Sequence, residues 1–321
     1  MPAAAVTGAL AAAKQGVLVT LVGDREVLAA ELAAQGGDLP VHHAGDVIAM
    51  HEQASDVRRR RDCSVMRAIE LVRAGEASAC VSMGHSGATM AAALLSLGRL
   101  KGVERPAILA NVPAERGVVA LLDVGANADC RPAHLRQFAL MGSIYAETYL
   151  GREAPAVGLM SIGEEEDKGN ELTRSAHKLL KAESRLNFAG NLEGRDLFLG
   201  AADVIVTDGF TGNVMLKLAE GEAKALFGWI RDALRGSGLA TKLGAALVKP
   251  ALRSLGKRLD PAEYGAQPLL GVAGYVFIGH GSSDARAVTS ALKTAARAVE
   301  AGVVEALQGG LSHTEGGRVR E

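Results

Sequence analysis

Aromatic side chains make up only 3% of the 321 residues, which leaves little material for stacking nucleobases. A formal net charge of -1 offers no general attraction for a polyanion. No nucleic-acid partner is therefore expected. The three cysteines, Cys63, Cys80 and Cys130, are widely spaced and contain no C-x-x-C pair. They suggest neither a disulfide framework nor a zinc knuckle, and a reducing cytoplasm fits them best. No run approaches the roughly 18–20 uncharged apolar residues of a membrane span, so any membrane contact is expected to be peripheral. The alanine-rich stretch Ala3 to Ala13 is followed at once by Lys14 and Gln15 and reads as a helix rather than a signal-peptide core. Neither G-x-x-x-x-G-K-[ST] nor a G-x-G-x-x-G after a strand occurs, which argues against a P-loop nucleotide enzyme and a standard dinucleotide site. The acidic run Glu164 to Asp167 lacks a second carboxylate cluster of clear spacing, so no metal and no other cofactor is expected.

What is present is a repeated pattern. Five times a short apolar run of strand type gives way to a loop of glycine with hydroxyl, amide or charged residues. The runs are 79–81, 118–122, 157–161, 204–206 and 276–278, and the loops are 82–87, 123–129, 163–170, 208–213 and 279–284. An earlier strand is predicted at Val17 to Val22 and a helix at Arg25 to Ala34, with a further short strand within 38–47. Helical spacing of apolar residues between the runs predicts an α/β fold with a mainly parallel sheet and helices on both faces. In such a sheet all five loops would lie along one rim, where small ligands bind. No Ser- or Pro-rich linker and no repeat divides the chain, which reads as one continuous α/β domain over residues 1–321.

The domain carries an insertion at about 216–259, read as two helices broken at Gly236-Ser237-Gly238 and interrupted again at Pro250. Leucines at helical spacing alternate there with Lys242, Lys249, Arg253, Lys257 and Arg258. This basic amphipathic hairpin has two compatible readings. Its leucines pack into the core or a dimer interface, or it meets an anionic membrane surface or an acidic protein.

Backbone N–H groups at probable helix starts beside Ser86, Thr211, Asn213, Ser282 and Ser283 suit an anion such as phosphate. His280, flanked by two glycines, lies where its ring can reach a ligand. Lys168 follows four acidic residues, and its reading is divided between a surface ion pair with Glu164 or Glu165 and a pocket role. Gly84-His85-Ser86-Gly87-Ala88 nearly matches the nucleophile elbow G-x-S-x-G. Ser86, Asp208 and His280 follow the chain order of a hydrolase triad. A serine hydrolase or thioesterase is thus one alternative, and a non-catalytic acyl-binding protein is another.

Longer segments carry a family resemblance: Leu121 to Asn127, Gln137 to Gly142, Ile162 to Glu165, Lys168 to Leu172, Gly190 to Asp196, Asp208 to Asn213, Glu263 to Gly271 and Gly279 to Asp284. In this order, from about Val6 to Leu307, the sequence resembles the bacterial phosphate acyltransferases of phospholipid synthesis (PlsX), which move a fatty acyl group from acyl carrier protein to inorganic phosphate. The resemblance implies a Rossmann-like three-layer α/β/α fold, a homodimer, a cytoplasmic location and peripheral attachment to the inner face of the membrane through the hairpin. It also implies that the acyl phosphate passes to a membrane glycerol-3-phosphate acyltransferase. Carried onto these residues, it makes Lys168 and His280 the expected catalytic pair. Ser86, Asp123, Asn127, Asn170, Asp208, Thr211, Asn213, Ser282 and Ser283 become the expected phosphate- or substrate-binding set. Two departures stand out. Gly84-His85-Ser86-Gly87 replaces the family's usual Gly-Asn-Thr-Gly, and the family's opening strand with its Asp-Ala-Met-Gly-Gly-Asp type loop is not found ahead of the first helix, so the natural protein is expected to start upstream.

Overall fold

A computed structural model describes residues 2–235, 238–260, 263, 265–281 and 283–312. The strands are β1 (Leu21–Gly23), β2 (Val41–His43), β3 (Ala79–Ser82), β4 (Ala107–Ala114), β5 (Gly117–Leu122), β6 (Ala156–Met160), β7 (Asn187–Leu192), β8 (Val204–Val206), β9 (Gln267–Leu270) and β10 (Tyr275–Ile278). The helices are α1 (Pro2–Ala13), α2 (Arg25–Ala34), α3 (Ser64–Arg73), α4 (Ser86–Ser96), α5 (Pro132–Thr148), α6 (Glu171–Lys181), α7 (Asp196–Leu199), α8 (Gly209–Arg235), α9 (Leu239–Arg258), α10 (Ala285–Glu300) and α11 (Val303–Leu311). A 3-10 turn covers Ala54–Arg58. The predicted helix at Arg25 to Ala34 forms with those bounds, and Asp24 caps it through an N–H bond from Val27 at 3.0 Å.

Eight strands form one mixed sheet in the order β3-β10-β9-β4-β5-β8-β6-β7, and β1 pairs with β2 separately. Strand alternation sorts the side chains onto two faces. On β5, Ala120 and Leu122 face the cluster built with α5, α6, α10 and α11, while Val119 and Leu121 face the cluster that includes α3 and α4. On β10, Tyr275 and Phe277 go one way, and Val276 and Ile278 the other. Helices thus cover both faces, the three-layer Rossmann-like arrangement expected.

One expectation fails. Parallel pairing joins β3 to β10, β5 to β8, β8 to β6 and β6 to β7, but β4 is antiparallel to β5, and β9 is antiparallel to both β4 and β10. Tracing directions across these reversals, β3 and β10 run opposite to β5, β6 and β8. The five loops therefore do not share a rim. Those at 82–87 and 279–284 leave one edge of the sheet, and those after β5, β6 and β8 leave the other.

Two helices, α8 and α9, cover the stretch read as the hairpin; α8 begins at Gly209, ahead of the expected start, and α9 continues through Pro250. The large side chains of this stretch face outward: Leu226, Trp229, Leu247, Val248 and Leu255 are all exposed. These residues do not pack into the described core. Lys249 and Arg253 are exposed as well. The side chains of Lys242, Lys257 and Arg258 lie outside the described residues, as does Ser282.

Candidate active site

At the edge shared by β5 and β8, two loops lock into each other. Asp123 is fully buried, and its carboxylate accepts N–H bonds from Ile108, Gly125, Ala126 and Asn127 and from the Asn127 amide, at 2.7–3.2 Å. Burial pushes this carboxyl above the usual range, against the donors that favour its ionised form. Asn127 gives its other amide hydrogen to the Pro106 carbonyl at 2.7 Å. The first residues of α8 seat directly on this loop. A side chain at Gly212 would meet the Asp123 carbonyl oxygen at 2.0 Å, and one at Gly209 would meet the Asn127 carbonyl at 2.6 Å. Asp208 starts the helix by accepting from the Thr211 N–H and hydroxyl at 2.9 and 2.8 Å. Asn213 donates to the Val124 carbonyl at 2.9 Å.

These contacts give four residues of the expected phosphate set partners within the chain. Asp123 and Asp208 hold the loops, and Asp208 is itself the anion at the start of α8. Asn127 has both amide hydrogens engaged, and the Thr211 hydroxyl proton points to Asp208. None of them has a donor left for phosphate. Asn213 retains one N–H.

The loop after β6 is built differently. Asn170 caps α6 by accepting from the Thr173 N–H and hydroxyl at 2.9 and 3.0 Å, which leaves its amide nitrogen unengaged. Gly169 adopts φ +98°, the left-handed region that favours glycine. The stem of Lys168 lies over Gly163, where a side chain would meet Lys168 Cγ at 2.9 Å. Lys168 is exposed, and its expected ion pair does not form: Glu164 faces Arg195 at 3.5 Å, and Glu166 pairs with Lys181. Among the described residues Lys168 is paired with no acid. Beneath Gly169 lies the Ser161 hydroxyl, buried and without a hydrogen-bond partner among the described residues. Sequence patterning treated Ser161 only as the last residue of a strand.

On the opposite edge, the loops after β3 and β10 run side by side. Gly279 donates to the Ser82 carbonyl at 2.8 Å, and a side chain at Gly279 would strike the Met83 sulfur. His85 caps α4, its Nδ1 accepting from the Ala88 N–H at 3.3 Å. That acceptor role fixes the proton on Nε2, which donates to the Glu52 carbonyl at 3.1 Å. Ser86 and His280 are both exposed, and the Ser283 N–H closes the loop onto the His280 carbonyl at 2.9 Å. Asp284 caps α10.

Chemically, the hydrolase triad is not assembled. Asp208 sits on the far edge from Ser86 and His280, and its carboxylate is occupied by Thr211. Nor are the thiols suited to nucleophilic attack: burial pushes Cys80 up to about 12 and Cys130 up to about 11. Among the described residues Lys168 meets no acid and Asn170 and Asn213 keep amide N–H groups at one edge, and Ser86 and His280 are exposed at the other.

Comparison with known proteins agrees with this architecture. The profile of a family described as "Fatty acid synthesis protein" matches residues 1–306. The phosphate acyltransferase of Thermus thermophilus is 60% identical over 311 residues, covering 97% of this chain and 95% of that protein. That of Pelotomaculum thermopropionicum is 50% identical over 318 residues, covering 98% and 92%. Among solved structures, a phosphotransacetylase from Streptococcus pyogenes superposes with a TM-score of 0.62 at 16% identity, covering 93% of this chain and 91% of that one. A branched-chain phosphotransacylase from Enterococcus faecalis gives 0.54 at 18% identity, covering 92% and 93%. At such identities the structures speak for the fold alone, whereas the sequence relatives settle the family. The chain belongs to the phosphate acyltransferase family of fatty acid synthesis proteins and is an acyltransferase.

Proposed function

We propose that the protein transfers a fatty acyl group from the thioester of acyl carrier protein to inorganic phosphate, releasing acyl phosphate for acylation of glycerol 3-phosphate in phospholipid synthesis. The observation that carries this reading is Lys168: an exposed ammonium on a glycine-flanked loop, paired with no acid among the described residues despite four acidic neighbours. A mobile anion is what such a group lacks. Phosphate is already largely dianionic near neutral pH, and thiolate is a good leaving group, so positioning and charge dominate over acid-base assistance. Lys168, with Asn170 and Asn213, orients phosphate. Its oxygen attacks the thioester carbonyl, a tetrahedral oxyanion forms, and the carrier thiolate departs. His280 hydrogen-bonds that oxyanion or protonates the leaving sulfur, with Ser86 beside it, which requires the loops after β3 and β10 to meet the Lys168 loop around the bound thioester.

The hairpin's exposed Trp229, Leu226, Leu247 and Leu255, with Lys249 and Arg253, support peripheral attachment to an anionic membrane surface on the cytoplasmic side, near the enzyme that consumes the product. Pairing of two copies as a homodimer belongs to the same proposal. Titrating inorganic phosphate into wild type and Lys168→Ala tests the Lys168 role. A large rise in the phosphate KM is expected, and an unchanged phosphate dependence rejects the assignment.

A further inference from the structure

Four consecutive arginines, Arg58 to Arg61, close the 3-10 turn and lead into α3. Their environments differ sharply. Arg60 is clamped: its Nε lies 2.6 Å from Asp46 and its Nη1 2.5 Å from Glu52; the guanidinium holds the Asp46 carboxyl below the usual range, and the Ala49 N–H, with the guanidinium behind it, does the same for Glu52. Arg58, Arg59 and Arg61 are exposed, and among the described residues none of them is paired with an acid. The next acid, Asp62, is taken by Arg67 at 3.0 Å. Asp56 is the one remaining carboxylate of the turn, so the segment keeps a net positive charge. Three like charges held this close repel each other, and exposed arginines contribute little to stability. Folding gives no reason for them.

Their position does. The clamped segment lies against the His280 edge: the Glu52 carbonyl accepts from His85 at 3.1 Å, and Met50 lies beside Gly281. Val47, whose carbonyl accepts from Arg60 at 2.7 Å, and Met50 are 61% and 62% exposed and add apolar surface to the same clamped segment, and arginine with apolar side chains is the composition of a protein-docking patch. A bilayer calls for a larger apolar face, which the hairpin already presents.

We infer that Arg58, Arg59 and Arg61, with Val47 and Met50, form the docking surface for the acidic carrier protein that delivers the acyl thioester to the His280 edge. This rests on the carrier-protein donor proposed above, and it gives the arginine run, not the hairpin, the role of meeting an acidic protein. Charge complementarity at such a patch acts on encounter and affinity, not on the bond-forming step.

The test uses the full chain with Arg58→Glu, Arg59→Glu and Arg61→Glu combined, and a matching triple glutamine variant. Donors are palmitoyl acyl carrier protein and a palmitoyl thioester of pantetheine without the protein. With the carrier donor, kcat/KM is expected to fall about tenfold or more in the glutamate variant and less in the glutamine one. With pantetheine it stays within about twofold of wild type, as expected when the change is confined to the surface. Retention of carrier kcat/KM overturns the docking surface while leaving the donor reading intact. Equal loss with both donors overturns it too, by showing an effect on the site itself. Loss of binding to phosphatidylglycerol vesicles with unchanged carrier kinetics assigns the arginines to lipid instead. If wild type uses the pantetheine thioester but not the carrier thioester, the donor reading fails and the docking surface with it.

Discussion

The loops after β5 and β6 leave the same edge of the sheet, yet they use their polar residues in opposite ways. The 123–127 loop turns inward: Asp123 is buried and accepts five N–H bonds, and Asn127 has both amide hydrogens engaged. The 163–170 loop turns outward, with an exposed Lys168 and an Asn170 that caps through its oxygen alone. In sequence both read as glycine and polar residues after a strand. The difference teaches that a polar loop residue serves the fold when its donors and acceptors are filled by its own chain, and serves a ligand when they are not.

The sharpest way to break the comparison is Asp123→Ala. It strands buried N–H groups and is expected to cost about 3–4 kcal/mol of stability, measured by urea denaturation; a loss below about 1 kcal/mol would mean that this loop is not the scaffold described. Lys168→Ala should do the reverse. Acyl transfer is expected to drop about a hundredfold, or about 2.7 kcal/mol of transition-state free energy, with the unfolding midpoint unchanged, as steady-state rates and calorimetry on one sample would reveal. Asp208→Ala removes a helix cap and should cost about 1 kcal/mol. Its activity should fall only in step with its folded fraction, and a larger kinetic defect would return Asp208 to the chemistry.

The smallest effect is expected from acid. Asp46 and Glu52 are depressed by the Arg60 guanidinium and by backbone N–H donors. Their contribution is present above the ordinary carboxylate range and is lost as pH falls below about 4 toward their folded values. Faster amide exchange across residues 46–61 at pH 3, ahead of the core, would display it. Uniform exchange over the whole chain would not fit.

Much of the fold was legible because strand and helix periods differ. The runs at 79–81, 118–122, 157–161, 204–206 and 276–278 all lie on observed strands, apart from Ser161 just past β6. Strand direction was not legible. The two strands that reverse the sheet, β4 with Pro113 and β9 with Pro268, lie outside the predicted runs, and proline within an apolar run argues against a central strand. The readable clue was Glu115-Arg116-Gly117 between apolar runs, the mark of a tight hairpin. Site residues were legible by type but not by engagement. Nothing local in the sequence says that Thr211 gives its proton to Asp208, or that among the described residues Lys168 meets no acid and the Ser161 hydroxyl no partner. The arginine run was plain in the sequence, but only the Arg60 clamp separates one structural arginine from three open ones.

The most direct measurement of the central claim is acyl transfer from palmitoyl acyl carrier protein with and without inorganic phosphate, trapping acyl phosphate with hydroxylamine. The account predicts hydroxamate that appears only with phosphate. Thiol release that proceeds equally without phosphate, with no hydroxamate, would contradict it.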